Sequence, residues 1–114
     1  MLPSTTVAAT EAPPGSIPVV MVGPPPVFRP KALTAKAGDV VFYLENNSPS
    51  GDAHGVHTLA IGREMGTPIV VSDEVRGGRR AVFTVLGLEA GEYVTWCTFT
   101  GHASLVQTGT LTVE

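Results

Sequence analysis

The sequence predicts an all-β domain, a Greek-key β-sandwich of about seven to eight strands. Three observations predict it. Short runs rich in Val, Ile, Thr, Phe and Tyr recur along the chain, the composition that fits a pleated, half-buried surface. Clusters of Gly, Asn, Asp, Ser and Pro separate these runs at close intervals and supply tight turns. No stretch sustains the apolar period of an amphipathic helix, and only residues 72–76 have room for a short helical turn.

In chain order, residues 1–18 (MLPSTTVAATEAPPGSIP) are dominated by Ala, Thr, Ser and Pro and show no periodicity. They read as a flexible tether ahead of a domain at 19–114. Pro24, Pro25 and Pro26 interrupt the apolar run at 19–22. Proline has no N–H for a central ladder, so this place marks an edge or a turn. Residues 31–35 form a short strand and 36–39 (KAGD) a turn. Residues 40–45 (VVFYLE) carry the strongest strand signal, and 46–52 (NNSPSGD) read as a loop. Residues 57–61 (HTLAI) and 68–71 are short strands, and Gly77-Gly78 is a turn. Residues 80–85 alternate, with Ala81, Phe83 and Val85 on one face. A turn at 89–92 leads into a strand at 93–97, and 108–113 closes the set.

Composition bounds what such a fold can do. The chain has 114 residues, 43% of them hydrophobic and 15% charged, which suits one domain with a real core and a sparsely charged surface. A net charge of −3 excludes a nucleic-acid binder that works by meeting phosphate. Arg76, Arg79 and Arg80 cluster only on the Gly-Gly turn and read as a solvated hairpin. No apolar run is long enough for a membrane-spanning helix, and the first residues lack the pattern of a signal peptide. Cys97 is the sole cysteine, so an intrachain disulfide, a Cys-x-x-Cys pair and a multi-cysteine zinc site are all excluded. There are three histidines: His54, His57 and His102.

The chemistry gathers near the C-terminus, in WCTFTGHASLVQTGTLTVE. Cys97 ends a strand, His102 follows across Thr98-Phe99-Thr100-Gly101, Gln107 comes next, and Gly109 opens the last strand. One loop between two strands therefore presents a thiolate, an imidazole and an amide oxygen. A soft thiolate with imidazoles in a trigonal set, completed by a weak axial donor, is the blue-copper arrangement. His57, at the start of a strand after a long polar loop, is the natural source of a second imidazole. Zinc competes for the same donors.

From Phe28 to the C-terminus the sequence resembles the cupredoxins, the small blue copper proteins of plastocyanin and azurin type. The resemblance rests on FRPKALTAKAGDVVFYLENN, on the histidine-initiated HTLAI, and on GEYVTWCTFTGH followed by GTLTV, with Thr100 where proline is common. It implies that His57, Cys97 and His102 bind one copper ion. Most relatives then place a Met as axial ligand, whereas this window holds Val106 and Gln107. Anchoring on Gly109 selects Gln107, as in stellacyanin-like members; Val106 is the competing position. Met1, Met21 and Met65 lie outside the loop. An amide oxygen is a harder donor than a thioether, so Gln107 implies a lower reduction potential.

The resemblance also implies that Asn47 hydrogen-bonds across the ligand loops and that Ala103 and Leu105 form an apolar docking patch beside His102. His54 reads as an exposed histidine, with a second metal or a docking surface as its alternative roles, and Trp96, facing away from Cys97, as a packing or surface residue. The implied function is one-electron transfer between transient redox protein partners. The alternative is a copper carrier or delivery module using the same ligands. An enzyme is not expected, because catalytic copper centres need more histidines or a second cysteine. The implied protein is a monomer, periplasmic or extracellular, with residues 1–18 as a candidate membrane tether.

Overall fold

The computed structural model describes residues 1–22, 27–49, 55–98 and 108–114. Among them run ten strands: β1 (Ser4–Ala8), β2 (Ile17–Val22), β3 (Val27–Arg29), β4 (Ala32–Ala35), β5 (Gly38–Asn46), β6 (Ala60–Gly62), β7 (Val70–Val71), β8 (Arg80–Leu88), β9 (Gly91–Trp96) and β10 (Thr108–Val113). They form two five-stranded sheets, ordered β1-β8-β5-β2-β3 and β4-β10-β9-β6-β7. β2 runs parallel to β5 and β4 parallel to β10; the remaining pairs are antiparallel. Most neighbours in space are not neighbours in sequence, so the chain crosses between sheets as the predicted sandwich requires. No α-helix occurs among the described residues. The segment at 72–76, which had room for a helical turn, instead pairs Val75 with His57 in an isolated bridge. The turn expected at Pro24, Pro25 and Pro26 lies outside the described residues.

The core follows from strand alternation. On β5, Val40, Phe42, Leu44 and Asn46 point inward; on β8, Ala81, Phe83 and Val85 do so. Phe42 and Phe83 lie directly opposite on the ladder, with ring centroids 5.9 Å apart. Leu59, Ile61, Tyr93, Cys97 and Leu111, on or directly next to strands of the facing sheet, belong to the same core cluster. Each fully buried side chain of this size stabilises the fold by about 1.5–3 kcal/mol. The inward alternation of β5 ends on a polar residue, Asn46, and β9 leads directly into buried Cys97. Both therefore lie where the core meets the candidate site.

The N-terminal segment departs from the tether reading. Ser4–Ala8 is an edge strand, paired from Ser4↔Val85 to Ala8↔Ala81. Leu2 N–H donates to the Ile69 carbonyl at 2.8 Å, and Asp73 N–H donates to Thr6 Oγ1 at 3.0 Å. This segment therefore bridges from β8 toward the β7 side of the facing sheet, and Leu2 packs against the core. Farther on, the Tyr43 hydroxyl donates to the Ala9 carbonyl at 3.4 Å, and β2 already starts at Ile17. A domain boundary at 18/19 would thus cut through a strand. The Ser-Thr-Ala composition concealed this, because β1 is mostly exposed and draws its order from the β8 edge it covers.

Candidate metal centre

Cys97 directly follows β9 and is 1% exposed. Its sulfur lies against the backbone just past His57: Thr58 N–H donates to Sγ at 3.4 Å, and Thr58 Oγ1 lies 3.7 Å from the same sulfur. Thr58 Oγ1 also accepts from Thr98 N–H at 2.8 Å and meets Thr98 Oγ1 at 2.7 Å. One threonine therefore joins the two segments that carry Cys97 and His57, and holds the sulfur from two atoms.

His57 is fully buried. Its N–H donates to the Val75 carbonyl at 3.0 Å, and its carbonyl accepts from Val75 N–H at 2.8 Å. Its Nε2 is hydrogen-bonded to Ser48 Oγ at 2.9 Å. Ser48 is in turn held by Asn46, whose Oδ1 accepts from Ser48 N–H at 2.9 Å. Asn46 Nδ2 donates to the Gly55 carbonyl at 2.6 Å and to the Val75 carbonyl at 2.7 Å. The backbone of Asn46 completes the clamp, with Gly78 N–H on its carbonyl at 2.8 Å and its own N–H on the Arg79 carbonyl at 3.0 Å. Gly77 allows this closeness. A Cβ there would collide with the Pro49 carbonyl and stand 2.7 Å from the Ser48 carbonyl. A side chain at 77 would wedge the arginine turn off the His57 loop.

The spanning role expected of Asn47 falls to its neighbour. Asn47 is exposed, and its backbone N–H donates to the Met21 carbonyl at 2.9 Å. The reason is the strand period: Phe42, Leu44 and Asn46 share the inward parity, and Asn47 does not. Ser48 and Thr58 were also missed. Thr58 could have been suspected from its position next to His57, but no spacing rule marks Ser48. Trp96 is 5% exposed and packs over Gly62, where an added Cβ would stand 3.0 Å from its ring. Met21 is buried in the core, and Met65 is half exposed.

His54, His102, Ala103, Leu105, Val106 and Gln107 lie outside the described residues. The structure thus brings together the first two of the four expected ligands, His57 and Cys97, through Thr58. Among the described residues, no group of three His, Cys, Asp or Glu side chains could hold a metal ion. The donor chemistry present, a buried thiol held by Thr58 and a buried imidazole hydrogen-bonded to Ser48 through Nε2, fits a soft or borderline ion such as copper.

No protein-family model and no curated relative matches the chain. Solved structures do match. A sodium-dithionite-reduced auracyanin from the photosynthetic bacterium Roseiflexus castenholzii is 16% identical, with a TM-score of 0.72 over 87% of this chain and 96% of that one. An azurin from the methylotroph Methylomonas sp. strain J is 13% identical, with a TM-score of 0.73 over 87% and 97%. Auracyanin A, described as a "blue" copper protein from Chloroflexus aurantiacus, is 19% identical, with a TM-score of 0.64 over 88% and 100%. At these identities the likeness shows the fold, a cupredoxin-like β-sandwich.

Proposed function

We propose that the chain is a mononuclear type 1 (blue) copper protein that carries one electron at a time between redox partners. The observation that carries this reading is the buried Cys97 sulfur, held by Thr58, the residue next to an anchored, buried His57. Cys97, His57, His102 and Gln107 are the residues that would hold the ion, with Val106 the competing position for the last. Copper, when bound, supplies the one-electron couple. The protein's part is to keep the donors still, so that little rearrangement accompanies a change of charge. Asn46, Ser48 and Thr58 do this for the two ligands in the described part, through hydrogen bonds between buried groups. Ala103 and Leu105 are proposed as the apolar patch against which partners dock briefly, as in small redox interfaces. A periplasmic or extracellular setting belongs to the same proposal.

Two influences on the reduction potential oppose each other. Hydrogen bonds from Thr58 to the sulfur draw charge from it and favour Cu(I). An amide oxygen at the axial position favours Cu(II). Adding Cu(II) to the apoprotein is expected to give an intense visible thiolate-to-copper band and the narrow copper hyperfine splitting in EPR typical of the family. A colourless protein that binds only zinc would defeat the reading. Gln107→Met is expected to raise the potential measured by voltammetry, with the band retained. An unchanged potential would remove Gln107 from the axial position in favour of Val106.

A further inference from the structure

We propose that β1 is a docking edge for a second copy of this chain: two β1 strands pair antiparallel about a two-fold axis at Val7, joining two five-stranded sheets into one. This departs from the monomer that the resemblance implies, and it does not depend on the copper reading. Leu86 N–H donates to the Pro3 carbonyl at 3.0 Å, and Ala9 N–H to the Arg80 carbonyl at 3.2 Å. Hydrogen bonding alternates along an antiparallel pair, so Thr5 and Val7 also turn their main-chain groups toward β8. Ser4, Thr6 and Ala8 turn theirs outward, and among the described residues no backbone group meets them. Natural sheets guard such an edge with a lysine, a proline or a bulge. β1 reads STTVA and pairs in unbroken register, so it has none of these. Its one large apolar side chain, Val7, is 60% exposed.

Charge selects both the occupant and the register. A groove follows the open edge, lined among others by Thr6, Ala8, Asp73, Glu74, Arg76 and Arg79. Its two ends differ in sign. Asp73 lies at Thr6, with its N–H on Thr6 Oγ1 at 3.0 Å. Arg79 directly precedes Arg80, whose carbonyl holds Ala9 just past the other end of β1. Asp73, Glu74, Arg76 and Arg79 are exposed and form no ion pair among the described residues. Arg80 itself stands opposite Glu45 on β5 and adds little. A pair centred on Val7 sets Thr6 opposite Ala8 of the second copy, twice. Each acidic end then meets a basic end, and four main-chain hydrogen bonds close between Thr6 and Ala8 residues. Val7 meets its own counterpart in a non-hydrogen-bonded pair, the kind that brings side chains closest. A centre on Thr6 would instead bring the two Asp73 residues together. One short strand makes a small interface, so the dimer is weak and exchanges readily.

Sedimentation of the full chain under reducing conditions, from about 10 μM to about 1 mM, tests this. The mass is expected to rise from 11.8 kDa toward twice that value. Over the same range hydrogen exchange at the Thr6 and Ala8 amides is expected to slow, with Thr5 and Val7 unchanged because β8 already holds them. Ala8→Pro removes two of the four donors and spares the bonds to β8; it is expected to raise the dimer dissociation constant by at least about tenfold. Val7→Lys, which sets two ammonium groups on the axis, is expected to do the same, and it carries the test should Ala8→Pro fail to fold. Asp73→Lys and Arg79→Glu are each expected to weaken the dimer, and the double variant to restore it. A chain that stays monomeric throughout would overturn the proposal and leave the edge to a strand of another protein or to solvent. So would a dimer indifferent to Ala8→Pro and Val7→Lys, or one that Leu105→Asp dissolves, which would move the contact to the proposed apolar patch. A double variant as weak as either single one would overturn the register centred on Val7.

Discussion

Asn46→Ala is expected to destabilise the fold by about 2–4 kcal/mol, from loss of partners at about 1–3 kcal/mol for each buried group left unpaired. The substitution strips the buried Ser48 N–H of its acceptor and the buried Gly55 carbonyl of its 2.6 Å donor. The Val75 carbonyl loses less, since it still accepts from His57 N–H. Urea unfolding measures the change; the midpoint should fall with the slope unaltered, because the surface exposed on unfolding stays the same. Asn46→Asp separates hydrogen bonding from volume. It has nearly the same shape and keeps an oxygen for Ser48 N–H, but turns its second oxygen toward two carbonyls that need donors. It is expected to cost at least as much as alanine. A loss under about 1 kcal/mol in both variants would mean that these bonds are exchanged for water at little cost.

The same residue shows how far the sequence could be read. The strand at β5, the inward face of β8 and the turn before β9 follow from period-two alternation and Gly-rich punctuation, and they stand in the structure. Carried one residue past 45, the same alternation puts Asn46 inward, but loop composition ends the strand at 45 and the resemblance points to Asn47, because loop composition and strand parity disagree at the end of a strand. β1 was not legible for a different reason. Its Thr and Val side chains are mostly exposed, so they carry no hydrophobic pattern, and its partner lies far along the chain at Arg80–Leu88. Cys97 and His57 stood out by residue type and order. Ser48 and Thr58 did not, because what makes them matter is a contact across distant positions, 9 residues in one case and 39 in the other. Local sequence rules describe donors well and the groups that hold them poorly.

Cys97→Ser is expected to abolish the visible band that Cu(II) gives with the wild type while leaving the protein folded. The two effects separate because the sulfur has a core role and, in the proposed site, a ligand role. As a core atom it is small and buried, and it accepts Thr58 N–H at 3.4 Å. A serine oxygen can accept from the same N–H, so the desolvation cost of about 1–3 kcal/mol for an unpaired buried hydroxyl is at least partly offset. In the proposed copper site it would be the only soft anionic donor the chain can offer, since Cys97 is the single cysteine. A serine oxygen is harder and far less readily gives up electron density to Cu(II). Imidazole and amide donors would remain, and they suit a weakly coloured site with ordinary copper hyperfine splitting. Circular dichroism checks the fold, and optical and EPR spectra of the copper-loaded variant check the ligand. An intense band that survives in Cys97→Ser would require the colour to arise without the thiolate, and the type 1 copper reading would fall with it.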